Sequence, residues 1–335
     1  MDLAMVWFVI IVFFWLGYLF LEGFDFGVGI LLPVLGRDET ERRVMVNTIG
    51  PVWDGNEVWL IVAVGATFAA FPGWYATLLS SAFLPLLAVL LGLIGRGVAF
   101  EYRGKVDSVR WRRNWDRVIV AGSLLPALGV GLLLSWNVLG LPIDASGNRV
   151  GSPFAALQWE TLLGALAIVG YSVVHGAVFI ALKTVGEIRV RARTLALRIG
   201  PWALAPLLGL LLVVQLRSGS SWTWVSLLVV VAAAGLALMR LTGSHEGQAF
   251  ALLAVTIVGA VVTLFGALYP NVLPSTVDPA FSLTITDTAS NPYTLQVMTW
   301  VGGIGAPAVL VYQGWTYWVF RKRIGTTHIP PVHVP

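Results

Sequence analysis

The sequence contains no cysteine, and only 11% of its 335 residues are charged. The first absence removes thiolate metal sites, iron–sulfur clusters and disulfide or CxxC redox chemistry. The second removes an ordinary soluble domain, in which about 25% of residues are charged. Histidine is scarce as well, with 4 in the chain. There is no HExxH, no phosphate-cradling glycine loop and no readable Ser/His/Asp arrangement. What is present is apolar: 57% of residues are hydrophobic, and the mean hydropathy is +0.83. The formal net charge of +4 raises the question of nucleic acid. The basic residues are spread among long apolar runs, however, so membrane orientation is the reading that fits, and no nucleic-acid partner is expected.

A transmembrane helix needs about 20 mostly apolar residues to cross a core about 30 Å thick. Nine windows qualify: 3–35, 53–71, 76–95, 118–136, 159–182, 199–216, 222–239, 249–269 and 294–320. The opening Met1-Asp2 has no basic n-region and no small-residue cleavage site follows, so the first window reads as an uncleaved helix. Nine spans with the N-terminus outside place 19 of the 21 basic residues on the cytoplasmic side, leaving Arg149 and Arg217 outside. That asymmetry is what the positive-inside rule requires. Many of the 15 tryptophans, among them Trp74, Trp136, Trp159, Trp222 and Trp224, are expected at the membrane interface. The segments 137–158 and 270–293 read as outside capping loops, and the tail 329–335 as polyproline-like.

Glu22-Gly23 with Phe26, a basic loop and Ile49-Gly50-Pro51 parallels His175-Gly176 with Phe179, a basic loop and Ile199-Gly200-Pro201. The offsets suggest a repeat: residues 1–140 as one four-helix unit, 155–270 as a second, 294–320 as a ninth helix and 321–335 as a cytoplasmic tail. The expected fold is therefore all-α, two four-helix bundles plus one helix.

Ionisable groups at membrane depth are costly and are functional candidates. Glu22 and Asp25 lie three residues apart, on one helix face, with Gly23 and Gly27 as a small-xxx-small pair that admits a neighbouring helix. They read either as a proton relay or cation pair inside the bundle, or as acids at a helix end pairing with arginines. Asp54 and Glu57 repeat the spacing beside Trp53, Asn56 and Trp59. Capping at a helix N-terminus and a proton entrance both fit them. Arg96, at the inner end of a span, reads as a snorkelling anchor, and Glu101 would extend a chain of acids. The stretch Trp111-Arg112-Arg113-Asn114-Trp115-Asp116-Arg117 fits contact with anionic lipid headgroups. His175 is the one histidine well inside a span. It reads as a packed core residue or, less readily, as a lone haem ligand, because two inward-facing histidines at membrane depth are not offered.

At these residues the sequence resembles subunit II of the cytochrome bd quinol oxidases. Glu22-Gly23-Phe24-Asp25-Phe26-Gly27, Gly36-Arg37-Asp38, Glu41-Arg42-Arg43 and Trp53-Asp54-Gly55-Asn56-Glu57-Val58-Trp59-Leu60 carry the resemblance. Arg96 through Arg103 and the Trp111–Asp116 stretch continue it, and His175-Gly176-Ala177 to Leu182-Lys183-Thr184 extends it more weakly. The resemblance implies a plasma-membrane complex that oxidises quinol and reduces dioxygen to water, taking protons from the cytoplasm. It implies b-type haems and haem d in a partner subunit I, none held with confidence here, and a structural quinone or lipid in a groove. A small single-span accessory subunit and membrane lipids are further implied partners. It assigns haem-site support to Asp25 and Arg96, and a proton path to Asp54 and Glu101, with Glu57, Asp25 and Glu22 as further candidates. Trp59 matches a position on a dioxygen route. No catalytic residue and no metal ligand is expected in this chain. A stand-alone proton-coupled transporter is the competing reading, since buried acids and a repeat also suit transport; an assembly or quinone-anchoring protein is a third.

Overall fold

The structure, a computed structural model, describes residues 2–152 and 156–329. His333 and all but the first residue of the polyproline-like tail lie outside the described residues. The chain is almost wholly helical. Helix α1 (Leu3–Leu35) is followed by α2 (Glu39–Ile49), α3 (Trp53–Ala70), α4 (Pro72–Ser81), α5 (Phe83–Tyr102) and α6 (Val109–Leu139). Then come α7 (Trp159–Lys183), α8 (Glu187–Ser218), α9 (Ser221–Thr242), α10 (Glu246–Leu268), a single turn α11 (Ile285–Thr288) and α12 (Pro292–Val319). A two-stranded antiparallel ribbon, β1 (Asn271–Leu273) with β2 (Leu283–Thr284), lies in the loop before α11.

Among the described residues, 8 helices are long and apolar enough to cross a membrane. The ninth expected window is helical, as α3, but its first turn carries Asp54, Asn56 and Glu57, which dilute its hydropathy below that of the others. The window 76–95 needs correction. Pro72 opens a short helix, and Pro85 lacks the N–H that would bond the carbonyl of Ser81. The chain therefore breaks at Ala82, and the long helix runs from Phe83 to Tyr102. Two other helices start earlier than their apolar windows. The basic segments before 118 and 199 are already helical, in α6 and α8. Hydropathy marks where a helix meets lipid, not where it begins.

The basic stretch that hydropathy leaves as a loop forms helix α2. Asp38 accepts from the backbone N–H of Glu41 at 2.8 Å, and Glu41 in turn accepts from the N–H of Arg37 at 2.8 Å. This reciprocal arrangement satisfies the free donors of a helix start. The two Gly-Pro stretches of the apparent repeat behave differently: Gly50-Pro51 sits in the bend between α2 and α3, whereas Gly200-Pro201 lies within continuous α8.

Helix α1 is the hub, contacting α3, α6, α7 and α10. Helices α5 and α6 pair with each other, and α7, α8, α9 and α10 form a mutually packed set joined to the first by α1–α7 and α6–α7 contacts. The α1–α7 crossing is very close. A Cβ on Gly27 would meet the carbonyl oxygen of Ser172 at 1.9 Å, and the Cα of Gly176 lies at 2.7 Å from the same point. At the end away from the basic loops, Leu141 donates its N–H to Pro274 and Ser290 donates to Ala70, which ties the two expected capping loops over the helices. Trp74 and Trp136, expected at the interface, are instead buried. Their indole N–H groups donate to Asn137 Oδ1 (2.7 Å) and to the carbonyl of Ala156 (2.8 Å). Helix α12 stands apart: it touches α1 and α3, and only 6% of its most apolar window is buried.

The close crossing gives a direct test. Gly27→Ala should destabilise the purified protein by about 1–3 kcal/mol, the usual cost of overpacking, seen as a lower Tm in detergent. Gly235→Ala, where the added Cβ meets open space, should leave the Tm unchanged or slightly raised.

Candidate functional site

Near the basic end of α1, Glu22 and Asp25 point into the bundle and are fully buried, as are Asn56 on α3 and Arg96 on α5. Arg96 forms an ion pair with Glu22 through Nη2, and the same nitrogen donates to Glu57 Oε2 at 3.2 Å. Its guanidinium lies over the ring of Phe26, 4.8 Å from the centroid, and 5.9 Å from that of Phe100. Such stacking places the planar, weakly hydrated guanidinium where a lysine would fit poorly. Arg96 is therefore a buried cation and not a snorkelling anchor.

Asp25 is reached from another direction. Asn56 Nδ2 donates to Asp25 Oδ2 at 2.7 Å, while Asn56 Oδ1 accepts from the Tyr317 hydroxyl (2.7 Å) and from Gln313 Nε2 (3.1 Å). The Oε1 of Gln313 accepts from the Trp59 indole at 2.8 Å. The result is two polar groups side by side, Arg96 with Glu22 and Glu57, and Asp25 with Asn56, Tyr317 and Gln313, carried by α1, α3, α5 and α12. Glu22 and Glu57 share a single guanidinium, and Asp25 is held by a neutral amide, so the two groups together hold more proton acceptors than one cation balances. A charge taken from water survives inside only with such partners.

Trp59 also lines an apolar groove of about 530 Å³ between α1, α3 and α12, with Trp7, Phe14, Gly65, Gly302 and Leu310 among its walls. Gly17 has no side chain because the Trp59 ring occupies that space: a Cβ there would meet the indole at 2.1 Å.

Two sequence candidates are not brought into the cluster. Asp54, in the first turn of α3, and Glu101, in the last turn of α5, are exposed. Conversely, Gln313 and Tyr317 belong to the site and were not singled out. The signal was there: two polar-tipped side chains four residues apart, on one face of a helix otherwise read as an extra span.

His175 is buried in α7, with the rings of Phe250, Tyr171, Phe20 and Phe24 at centroid distances of 4.8, 5.0, 5.2 and 5.5 Å. Neither ring nitrogen has a hydrogen-bond partner among the described residues. A wall of four aromatic rings leaves no open side for a haem plane, so the residues do not fit the haem-ligand reading. Among the described residues no cluster of His, Cys, Asp and Glu would hold a metal ion.

At the basic end, ion pairs fasten the helices together. Arg103 grips Glu39 through two nitrogens (2.8 and 2.9 Å) and Asp116 through Nε (2.6 Å), and Arg42 reaches Asp116 at 3.1 Å. The segment read as lipid-facing thus contributes Asp116 to an internal clamp. Glu41 accepts from Arg191 of α8 at 2.6 Å, and Arg191 also donates to the carbonyl of Leu35 at 2.9 Å.

The family model described as cytochrome bd terminal oxidase subunit II matches residues 3–320. The chain belongs to this family. It is 39% identical to the cytochrome bd ubiquinol oxidase subunit 2 of Bacillus subtilis, over 95% of this chain and 96% of that one. It is 32% identical to the cytochrome bd-I ubiquinol oxidase subunit 2 of Escherichia coli, over 96% and 95%. In fold it is similar to a chain of the bd oxidase from Geobacillus thermodenitrificans, with a TM-score of 0.79, 17% identity, and coverage of 96% of this chain and 100% of that one. As a bd oxidase subunit II, the chain is part of an oxidoreductase complex with a subunit I, a multi-pass protein of the prokaryotic plasma membrane. The transporter alternative is left without support.

The clamp at Glu41 has a pH signature. Burial pushes its carboxyl up, but the Arg191 hydrogen bond and the Arg37 backbone N–H outweigh this and hold it below 4.5. A carboxyl lowered by folding contributes stability that is present above its unfolded value and is lost as pH falls through the folded value. The hydrogen-exchange protection of α2 amides, each rate taken relative to the unfolded chain at the same pH, should therefore be flat from neutral pH to about 5 and fall as the pH drops below about 4.5. In Glu41→Gln, α2 should be less protected at neutral pH and show a smaller acid-dependent loss of protection.

Proposed function

We propose that this chain is the non-haem-ligating subunit of a bd-type terminal oxidase that oxidises quinol and reduces dioxygen to water with cytoplasmic protons. The b-type haems and haem d belong to subunit I, where they supply the redox chemistry. This chain braces that subunit and provides proton and dioxygen routes. The observation that carries the reading is the pair of buried polar groups, Arg96 with Glu22 and Glu57, and Asp25 with Asn56, Gln313 and Tyr317. Such groups cost a membrane protein heavily, and the second reaches α12, only 6% of whose most apolar window is buried.

Four further assignments belong to the proposal. Asp25 and Arg96 hold the geometry beside the haem site. Protons enter at exposed Asp54 and Glu101 and pass inward by way of Glu57, Glu22 and Asp25. Dioxygen, small and apolar, moves along the groove beside Trp59. Helix α3 is the ninth span, giving two four-helix units and a ninth helix with the N-terminus outside and the C-terminus cytoplasmic. The polar first turn of α3 supports that placement, because Asn56 and Glu57 find partners within the protein. A small single-span subunit and a structural quinone or lipid complete the proposed assembly.

Asp54→Asn and Glu101→Gln should each leave the haem spectrum intact while quinol-driven oxygen uptake falls by roughly 10²-fold, the scale of a positioned proton-transfer group. Full turnover with full haem content would remove both from the proton path. Arg96→Gln should instead lower haem content, read from the reduced-minus-oxidised spectrum of the purified complex. An unchanged spectrum would remove its supporting role.

A further inference from the structure

At the basic end of the bundle, a second cavity separates α12 from the body. It has a volume of about 460 Å³, within the usual range of ligand pockets, about 300–1,000 Å³. Its walls are apolar and largely aromatic, with Leu21 and Phe24 from α1, Phe179 from α7, Phe250 from α10 and Phe320 beyond α12. Phe24 and Phe179 stack at 4.1 Å, giving the cavity a flat floor. Two cations complete the lining, Lys183 at the end of α7 and Arg321 just after α12, and no carboxylate lines it.

Neither cation makes an ion pair among the described residues, although elsewhere at this end Arg42, Arg103, Arg112, Arg189 and Arg191 all do. Lys183 donates to the carbonyl oxygens of Phe320 and Lys322, which employs two of its three N–H bonds. Arg321 donates through Nη1 to the carbonyl of Trp318 and lies over the Trp318 ring at 4.3 Å. Each keeps donors to spare. We infer that this cavity binds an anionic phospholipid, with its acyl chain among the aromatic rings and its phosphate between Lys183 and Arg321.

Three features favour that occupant. Basic pockets between helices at the cytoplasmic face are the usual form of an anionic headgroup site. A neutral quinone ring offers no charge to complement the two cations, which no carboxylate in the lining meets. The cavity lies where α12 would otherwise meet α7 and α10, so a lipid there fills the gap behind a helix that touches only α1 and α3 among its larger neighbours. The lipid is mortar between the ninth helix and the body. Its leaflet, the cytoplasmic one, follows from the proposed topology.

The test uses the purified complex of this chain with its partner subunit, stripped of loosely bound lipid and returned to nanodiscs. Native mass spectrometry then reads the lipid retained. Phosphatidylglycerol should be retained in preference to phosphatidylcholine, and Arg321→Gln should weaken that retention about fivefold, the worth of one cation near the surface. Leu21→Trp, which fills the cavity and leaves both cations in place, should reduce retention as well. Lys183 is spared because its carbonyl contacts also hold the end of α12. Equal retention of the two lipids by the unaltered complex overturns the proposal. So does retention unchanged in both variants, or loss of a quinone in place of the phospholipid from the Leu21→Trp complex. The comparison of lipids needs no variant, so it stands even where a variant fails to assemble.

Discussion

One guanidinium, fully buried among apolar helices, sets the terms for the first half of this protein. Arg96 stays inside because Glu22 and Glu57 meet it and Phe26 and Phe100 cover it. Those partners come from α1, α3 and α5, so the three helices must approach within side-chain reach. Helix α6 closes the fourth side. A Cβ on Gly122 would meet Arg96 Cβ at 2.8 Å, and one on Gly92 would meet Pro126 at 2.8 Å. The glycines are consequences of the charge: small residues let backbones approach, and the approach keeps water from the ion pair.

The energetics of such a cluster are asymmetric. Replacing a whole buried ion pair with apolar residues is often neutral or stabilising, whereas removing one partner costs about 3–5 kcal/mol. Packing alone would have been served by leucine. Retaining two carboxylates on one buried arginine, with Asp25 one turn away, is in keeping with the proposed proton-handling role in a terminal oxidase subunit.

Much of this was legible in the sequence because membranes simplify the code. Apolar length gives the helices, and scarcity of charge draws attention to Glu22, Asp25, Glu57 and Arg96: three of them pair with one another, and Asp25 is buried one turn from Glu22 against Asn56. What stayed hidden had physical reasons. Helix α2 is amphipathic and short, so hydropathy passes over it, and only the capping pair Asp38 and Glu41 announces it. The window 76–95 straddled a break because two prolines, at 72 and 85, interrupt an apolar run without changing its composition. Gln313 and Tyr317 were passed over because neutral polar groups hardly alter a hydropathy average, yet they complete the hydrogen bonds of Asn56. Trp74 and Trp136 were read from a statistical preference for interfaces. Each instead found an acceptor for its indole N–H in the interior, which is all that a buried tryptophan requires.

The position of α12 joins these threads. Along its membrane length it is held by little apolar packing. Its anchors are polar: Trp7 donates to the carbonyl of Leu295 and to Thr299 at one level, Trp59 to Gln313 at the next, and Tyr317 and Gln313 to Asn56 at the third. At the basic end Ile324 pairs with Lys183 and Val185 through backbone hydrogen bonds, fixing the segment after the helix to the α7–α8 turn. Hydrogen bonds fix register where apolar contacts only hold surfaces together. Displacing α12 would disturb the bonds at all three levels, among them those to Asn56, and Asn56 is the residue that holds Asp25. The same residues that fix the outermost helix therefore fix the innermost acid, so a shift of α12 is felt directly at Asp25.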